Sequence, residues 1–149
     1  MRLKTRALGA LAGLLAFAML GGTAMGADRP YSDGPVTIVS SIRTMPGAFD
    51  DYMAWLAGPY KKAMEAQKSA GVILGYSIYF TSPRGPDDPD LYLTTTYKNM
   101  AALDDMNAKL DPIYEKLEGS MTEQNKAYAE RGKMRTVLGD EMIREMVLK

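Results

Sequence analysis

GVILGYSIYFTSPRGPDDPDLYLTTTY, residues 71–97, places two β-rich runs around a centre of turn formers. Val72–Thr81 is dominated by branched and aromatic residues, as is Leu91–Tyr97, and such side chains suit a pleated surface. Between them Ser82–Pro89 carries three prolines, a glycine and two aspartates, so the whole stretch reads as a hairpin with a long, stiff loop. Working outward, Ala48–Ala70 before the hairpin has apolar residues three or four apart: Phe49, Met53, Leu56, Tyr60 and Met64. Gly58-Pro59 predicts a kink in that helix, and Gly71 falls where a helix end favours glycine. Val36–Thr44 (VTIVSSIRT) reads as a first strand, preceded by a polar arm over residues 27–35. After the hairpin, Asn99 is placed as a helix cap, and Leu103, Met106, Leu110, Ile113, Leu117 and Tyr128 continue a helical stripe. Asp111-Pro112 and Gly119-Ser120 read as restarts within it, the second with Glu123 completing a capping box. Arg135–Val147 fits a closing strand.

The order strand–helix–strand–strand–helix–strand predicts an α+β, ferredoxin-like βαββαβ fold: a four-stranded antiparallel sheet, order 4-1-3-2, with segmented helices on one face. The segments VTIVSSIRTMPGAFDDYMAWL, GVILGYSIYF and DPDLYLTTTYKNMAALD give the chain its similarity to other proteins. In these it resembles the dimeric α+β-barrel superfamily, as an exported bacterial member. The resemblance runs from Val36 to Lys149 and implies a homodimer in which two sheets pack face to face. It also admits cofactor-free monooxygenases and cyclases. The haem-binding branch requires a histidine, and this chain has none. A cone fold of the nuclear-transport-factor type would begin with helices instead.

Alternation gives the sheet two unlike faces. Val36, Ile38, Ile42, Val72, Leu74, Tyr76, Ile78, Phe80, Leu91 and Leu93 are expected beneath the helices. Thr37, Val39, Ser41, Arg43, Ser77, Tyr79, Tyr92, Thr94 and Thr96 face the other way. In the expected strand order, Arg43, Tyr79 and Tyr92 share one end of that second face, beside the Ser82–Pro89 loop. A guanidinium with two phenols suits a carboxylate, enolate or phenolate, and it equally suits an interface between subunits. Tyr52 and Trp55 open the first helix at the border of its apolar stripe. Core packing is their ordinary role, and lining a ligand cavity is the second. Asp50 and Asp51 complement the positive end of that helix. Asp87, Asp88 and Asp90 lack the spacing of a calcium loop, so no metal is expected. Arg144 and Glu145 are placed to form an ion pair across a subunit seam.

Residues 1–26 read as a cleavable secretory signal. Arg2, Lys4 and Arg6 precede an uncharged stretch, and Ala24-Met25-Gly26 places cleavage between Gly26 and Ala27. Gly9, Gly13, Gly21 and Gly22 dilute the segment below what an anchor needs, so the membrane is met only transiently, on the way to the periplasm or outside. Three of the 18 basic residues lie in it, leaving 15 against 18 acidic ones over residues 27–149, a single domain. No basic run remains there, which excludes nucleic acid as an expected partner. Without cysteine there is no disulfide, and without histidine the serine triads, Cys/His nucleophiles and zinc hydrolases are unavailable. The nine methionines beyond the signal suit core filling better than copper binding. No cofactor is expected. The reading these residues favour is a non-catalytic homodimer able to bind a small apolar or aromatic ligand. Two alternatives stand beside it: a cofactor-independent oxygenase or cyclase/isomerase using Arg43 and the tyrosines, and a protein-interaction module.

Overall fold

The computed structural model describes residues 28–149; the expected signal and its Gly26–Ala27 junction lie outside them. Strand β1 (Tyr31–Thr44) leads into α1 (Phe49–Trp55), a π-helical turn (Leu56–Tyr60) and α2 (Lys61–Ser69). The β2 (Gly75–Phe80) and β3 (Leu91–Tyr97) hairpin follows. A 3-10 turn (Met100–Leu103), α3 (Met106–Glu118), α4 (Met121–Arg131) and β4 (Arg135–Leu148) complete the chain. The antiparallel sheet has the order β2-β3-β1-β4, which is the expected order read from the other edge. Among the described residues, no helix is long and apolar enough to cross a membrane.

Local chemistry accounts for most of the boundaries. Pro59 has no amide hydrogen to give, and the helix absorbs this as a π turn instead of ending. The wider turn keeps Tyr60 on the core side, where its ring lies 5.7 Å from that of Trp55. Gly71 takes φ +71 just after α2, a conformation that a Cβ would strain. Asn99 accepts from the Ala102 amide, and Ser120 with Glu123 forms the expected capping box.

Four expectations need correction. The arm before β1 is partly strand: Tyr31–Asp33 pair with Met146–Leu148, and a bulge follows at Gly34-Pro35. Gly34 sits so close to β4 that an added Cβ would stand 3.0 Å from Glu145 Cβ. Strand β2 starts at Gly75, so Ile73 is the buried residue of its approach while Leu74 is 51% exposed and Phe80 68% exposed. Both were expected beneath the helices. Phe80 instead ends an edge strand, where its ring stands edge-to-face with Phe49 at 6.2 Å. Asp111-Pro112 is no restart, because α3 runs through Pro112. The carbonyl it leaves unpaired belongs to exposed Ala108, which water can satisfy. The break lies earlier, at Asp105 with φ 53. Finally, Arg144 pairs within its own chain, 3.1 Å from Asp33.

The core lies between the helices and one sheet face. Ile42, Tyr52, Leu56 and Leu91 form one buried cluster, and Met64, Ile73 and Tyr97 form another. Strand residues reaching these clusters are Ile38 and Ile42, Tyr76 and Ile78, and Leu91, Leu93 and Tyr97. The alternate residues of each strand therefore form the opposite face. None of Thr37, Val39, Ser41, Arg43, Ser77, Tyr79, Tyr92, Thr94 and Thr96 is buried, so within the chain that part of the face is open.

Candidate functional site

The strand register builds the open face row by row. Tyr79 stands directly opposite Tyr92, and Tyr92 opposite Ser41. The next row is Ser77, Thr94, Val39 and Glu141, and the next continues through Thr96, Thr37 and Ile143. Thr37 and Thr96 share a hydroxyl–hydroxyl hydrogen bond of 3.0 Å. Hydroxyls thus surround Val39 on β1–β3, two phenols stand at one end, and Glu141 and Ile143 lie on the β4 side. Tyr79, 55% exposed, is the most open aromatic residue of the face.

Arg43 lies at the phenol end, beside the 82–89 loop, and is partly committed there. Its Nε–H donates to the Asp88 carbonyl at 3.0 Å, and a second guanidinium N–H donates to the same oxygen. Of the five guanidinium N–H bonds, three are left for another partner. The loop itself is tied down by its acids. Asp90 accepts from the Thr44 amide with both carboxylate oxygens at 3.1 Å, and its own amide donates to the Ile42 carbonyl. The Asp88 carboxylate accepts from the amides of Arg84 at 2.8 Å and Gly85 at 3.1 Å. A cleft of about 190 Å³ remains between this loop and Tyr92, lined by Thr81, Ser82 and Arg84.

The Arg84 amide, aided by the Arg84 charge and the Gly85 amide, holds the Asp88 carboxyl below its ordinary value. A depressed folded value means that the ionised form favours the ordered loop. That contribution is complete above the usual carboxylate range of about 4 and fades as pH falls through the depressed value. Hydrogen-exchange protection of the Arg84 and Gly85 amides should therefore drop as the medium is acidified below that range. In Asp88→Ala it should be low at every pH. Equal protection in both proteins at neutral pH would remove this role from Asp88.

Tyr52 and Trp55 do not join this constellation; they lie on the helix side of the sheet, among the core residues. Their rings stack 5.6 Å apart with planes 7° from parallel. Two residues that sequence reasoning missed complete this second cluster. Arg131 lies 4.9 Å from the Trp55 ring centre, and Arg135 lies 5.8 Å from that of Tyr52. The Tyr52 hydroxyl and the Nε atoms of both arginines are buried without hydrogen-bond partners. Burial pushes the Tyr52 phenol up, and Arg135 and Arg131 oppose it, but no well-formed hydrogen bond joins Tyr52 to either. The Tyr128–Arg131 spacing was the one local signal for this cluster, since the contact with Trp55 spans distant parts of the chain. Glu141 was missed because its face follows from the β4 register, which a bulge shifts between Ser41 and Ile42.

A roomier cleft, about 470 Å³, lies at the opposite end of the sheet from Arg43, between Ala70–Leu74 and the 98–102 turn. Its Lys109 ammonium is already engaged by the carbonyls of Ala102 and Asp104. Among the described residues, no group of three or more acids is arranged to hold a metal ion.

No protein-family model and no curated protein matches the chain. Solved structures do. Protein SO0527 from Shewanella oneidensis has a TM-score of 0.50 at 13% identity, over 78% of this chain and 96% of its own. A dimeric ferredoxin-like protein from an uncultured marine organism has a TM-score of 0.50 at 14% identity, over 79% and 98%. HapK from Hahella chejuensis aligns over 74% of this chain and 91% of its own, at 12% identity and a TM-score of 0.48. At these identities the likeness is one of fold: the chain is a ferredoxin-like α+β protein.

Proposed function

We propose that the chain is an exported, non-catalytic homodimer that holds a small aromatic ligand against the open face of its sheet. The observation that carries this reading is the asymmetry of the sheet: helices bury one face and leave the hydroxyl-rich face, with its Tyr79–Tyr92 pair, uncovered. The edge supports it too. Strand β4 has 14 residues, pairs on one side only, and exposes Leu138, Met142, Ile143, Met146 and Val147. Such an edge invites unwanted pairing unless another surface covers it. One solved protein of this fold is described as dimeric, and a second copy is the occupant we carry over to this chain.

The chemistry of the face narrows the ligand from apolar or aromatic to an aromatic ring bearing oxygen groups. Phenol rings supply flat contact, and Thr94, Ser77 and Ser41 supply hydrogen bonds. The three uncommitted N–H bonds of Arg43 suit an anionic oxygen at one end. Catalysis would need a proton acceptor at the same place. The Asp88 carboxylate lines the cleft beside Tyr92, but the Arg84 and Gly85 amides hold it below its ordinary value, which makes it a weak acceptor. The β4 carboxylates on this face, Glu141 and by alternation Glu145, stand two strands from Tyr92, roughly 10 Å or more at ordinary strand spacing. That separation favours binding over turnover. Native mass spectrometry of protein purified from its source tests the reading: it should record a dimer retaining a small non-covalent mass. A monomer, or a dimer of bare polypeptide mass, would count against it.

A further inference from the structure

On the other side of the sheet, an open cleft of about 240 Å³ lies between α3 and α4, with Tyr114, Glu118, Gln124, Asn125, Tyr128 and Arg131 among its lining. Its cation is ordered in advance. The Arg131 guanidinium lies 4.9 Å from the Trp55 ring centre and 5.4 Å from that of Tyr128, so two aromatic rings hold it. Yet among the described residues it pairs with no acid, and its Nε is buried without a partner. Glu118 lines the same cleft and makes no ion pair either, with Arg131 or with any other described residue. Both charges act on one phenol between them: burial raises the Tyr114 hydroxyl, Glu118 raises it further, and Arg131 opposes the rise. That hydroxyl accepts a hydrogen bond from Gln67 at 3.2 Å, which leaves its own proton to donate.

Opposite charges that share a cleft without neutralising each other are complementary to a ligand that carries both. We propose that the α3–α4 cleft binds a free α-amino acid, its carboxylate on Arg131 and its ammonium on Glu118. Guanidinium and carboxylate suit these two groups by charge and hydrogen-bond geometry. The Gln124 and Asn125 amides and the Tyr114 proton supply further polar contacts, and the Tyr128 ring offers a flat wall for an aromatic side chain. The volume falls below that of clefts for drug-sized molecules, as a single amino acid requires. This site is separate from the open sheet face and does not depend on dimerisation.

The probe is L-phenylalanine, measured by saturation-transfer NMR, with benzoate and phenethylamine as ligands carrying one charge each. Trp55 is the only tryptophan, so its emission reports whether Arg131 is disturbed. Phenylalanine should give transfer and shift Trp55 emission, and each single-charge ligand should bind about tenfold more weakly or worse, the scale of one lost charged contact. Glu118→Gln, which leaves the Arg131–Trp55 stack intact, should weaken phenylalanine about tenfold while sparing benzoate. Arg131→Gln should abolish the shift of Trp55 emission by both ligands. Absence of transfer at millimolar phenylalanine, or binding unchanged in Glu118→Gln, would overturn the proposal.

Discussion

Tyr52→Ala is expected to remove about 3–5 kcal/mol of folding stability, the cost of emptying a large aromatic site in a packed core. Tyr52 is fully buried, stacks on Trp55, and shares its cluster with Ile42, Leu56 and Leu91. Tyr52→Phe should behave very differently. The hydroxyl it deletes is buried without a partner, so its loss relieves a desolvation cost without breaking a hydrogen bond. The phenylalanine variant should match the parent within about 1 kcal/mol, or exceed it. Urea unfolding at constant slope separates the two cases. A Tyr52→Phe variant that loses stability on the scale of the alanine variant would show that the hydroxyl has a partner after all.

The second large effect concerns association. Val39 sits mid-face, between Thr94 on β3 and Glu141 on β4, and it is the apolar centre of its row. If two open faces meet there, Val39→Asp buries a charge beside a like charge. Leaving a buried charge unpaired costs about 3–5 kcal/mol, which is roughly two to four decades in dissociation constant. The variant should sediment as a monomer at concentrations where the parent is dimeric, with an unchanged circular dichroism spectrum. A variant that remains dimeric would move the interface elsewhere.

How far the sequence could be read depended on how local each determinant is. The hairpin and both helical regions followed from alternation, helical spacing and turn chemistry, which act within a few residues, and the strand order followed from the βαββαβ arrangement that their succession implies. Gly71, Asn99 and Ser120 are legible for the same reason: each meets a backbone demand of its own turn. Errors arose where distant partners decide. Tyr31–Asp33 are strand because β4 reaches back to pair with them, and Phe80 is exposed at the end of the edge strand, beside the first residue of α1. The shared face of Arg43, Tyr79 and Tyr92 was legible from strand parity alone. The commitment of Arg43 to the Asp88 carbonyl was not, since loop conformation sets it. Tyr52 and Trp55 share a helix face with the core, and only the fold shows that the sheet separates them from the other three. Arg131 and Arg135 joined them from the far end of the chain, beyond any spacing rule.

The central claim is that two copies of the open face meet, and the cysteine-free chain allows a direct test. A single Thr94→Cys residue would stand mid-face, and facing sheets pack about 10 Å apart, within reach of a short bismaleimide. Lys116→Cys on the exposed side of α3 provides the reference position. The measurement is the fraction of protein cross-linked at dilute concentration. The account predicts efficient covalent dimer from position 94 and almost none from position 116. Cross-linking from 116 with none from 94 would contradict it.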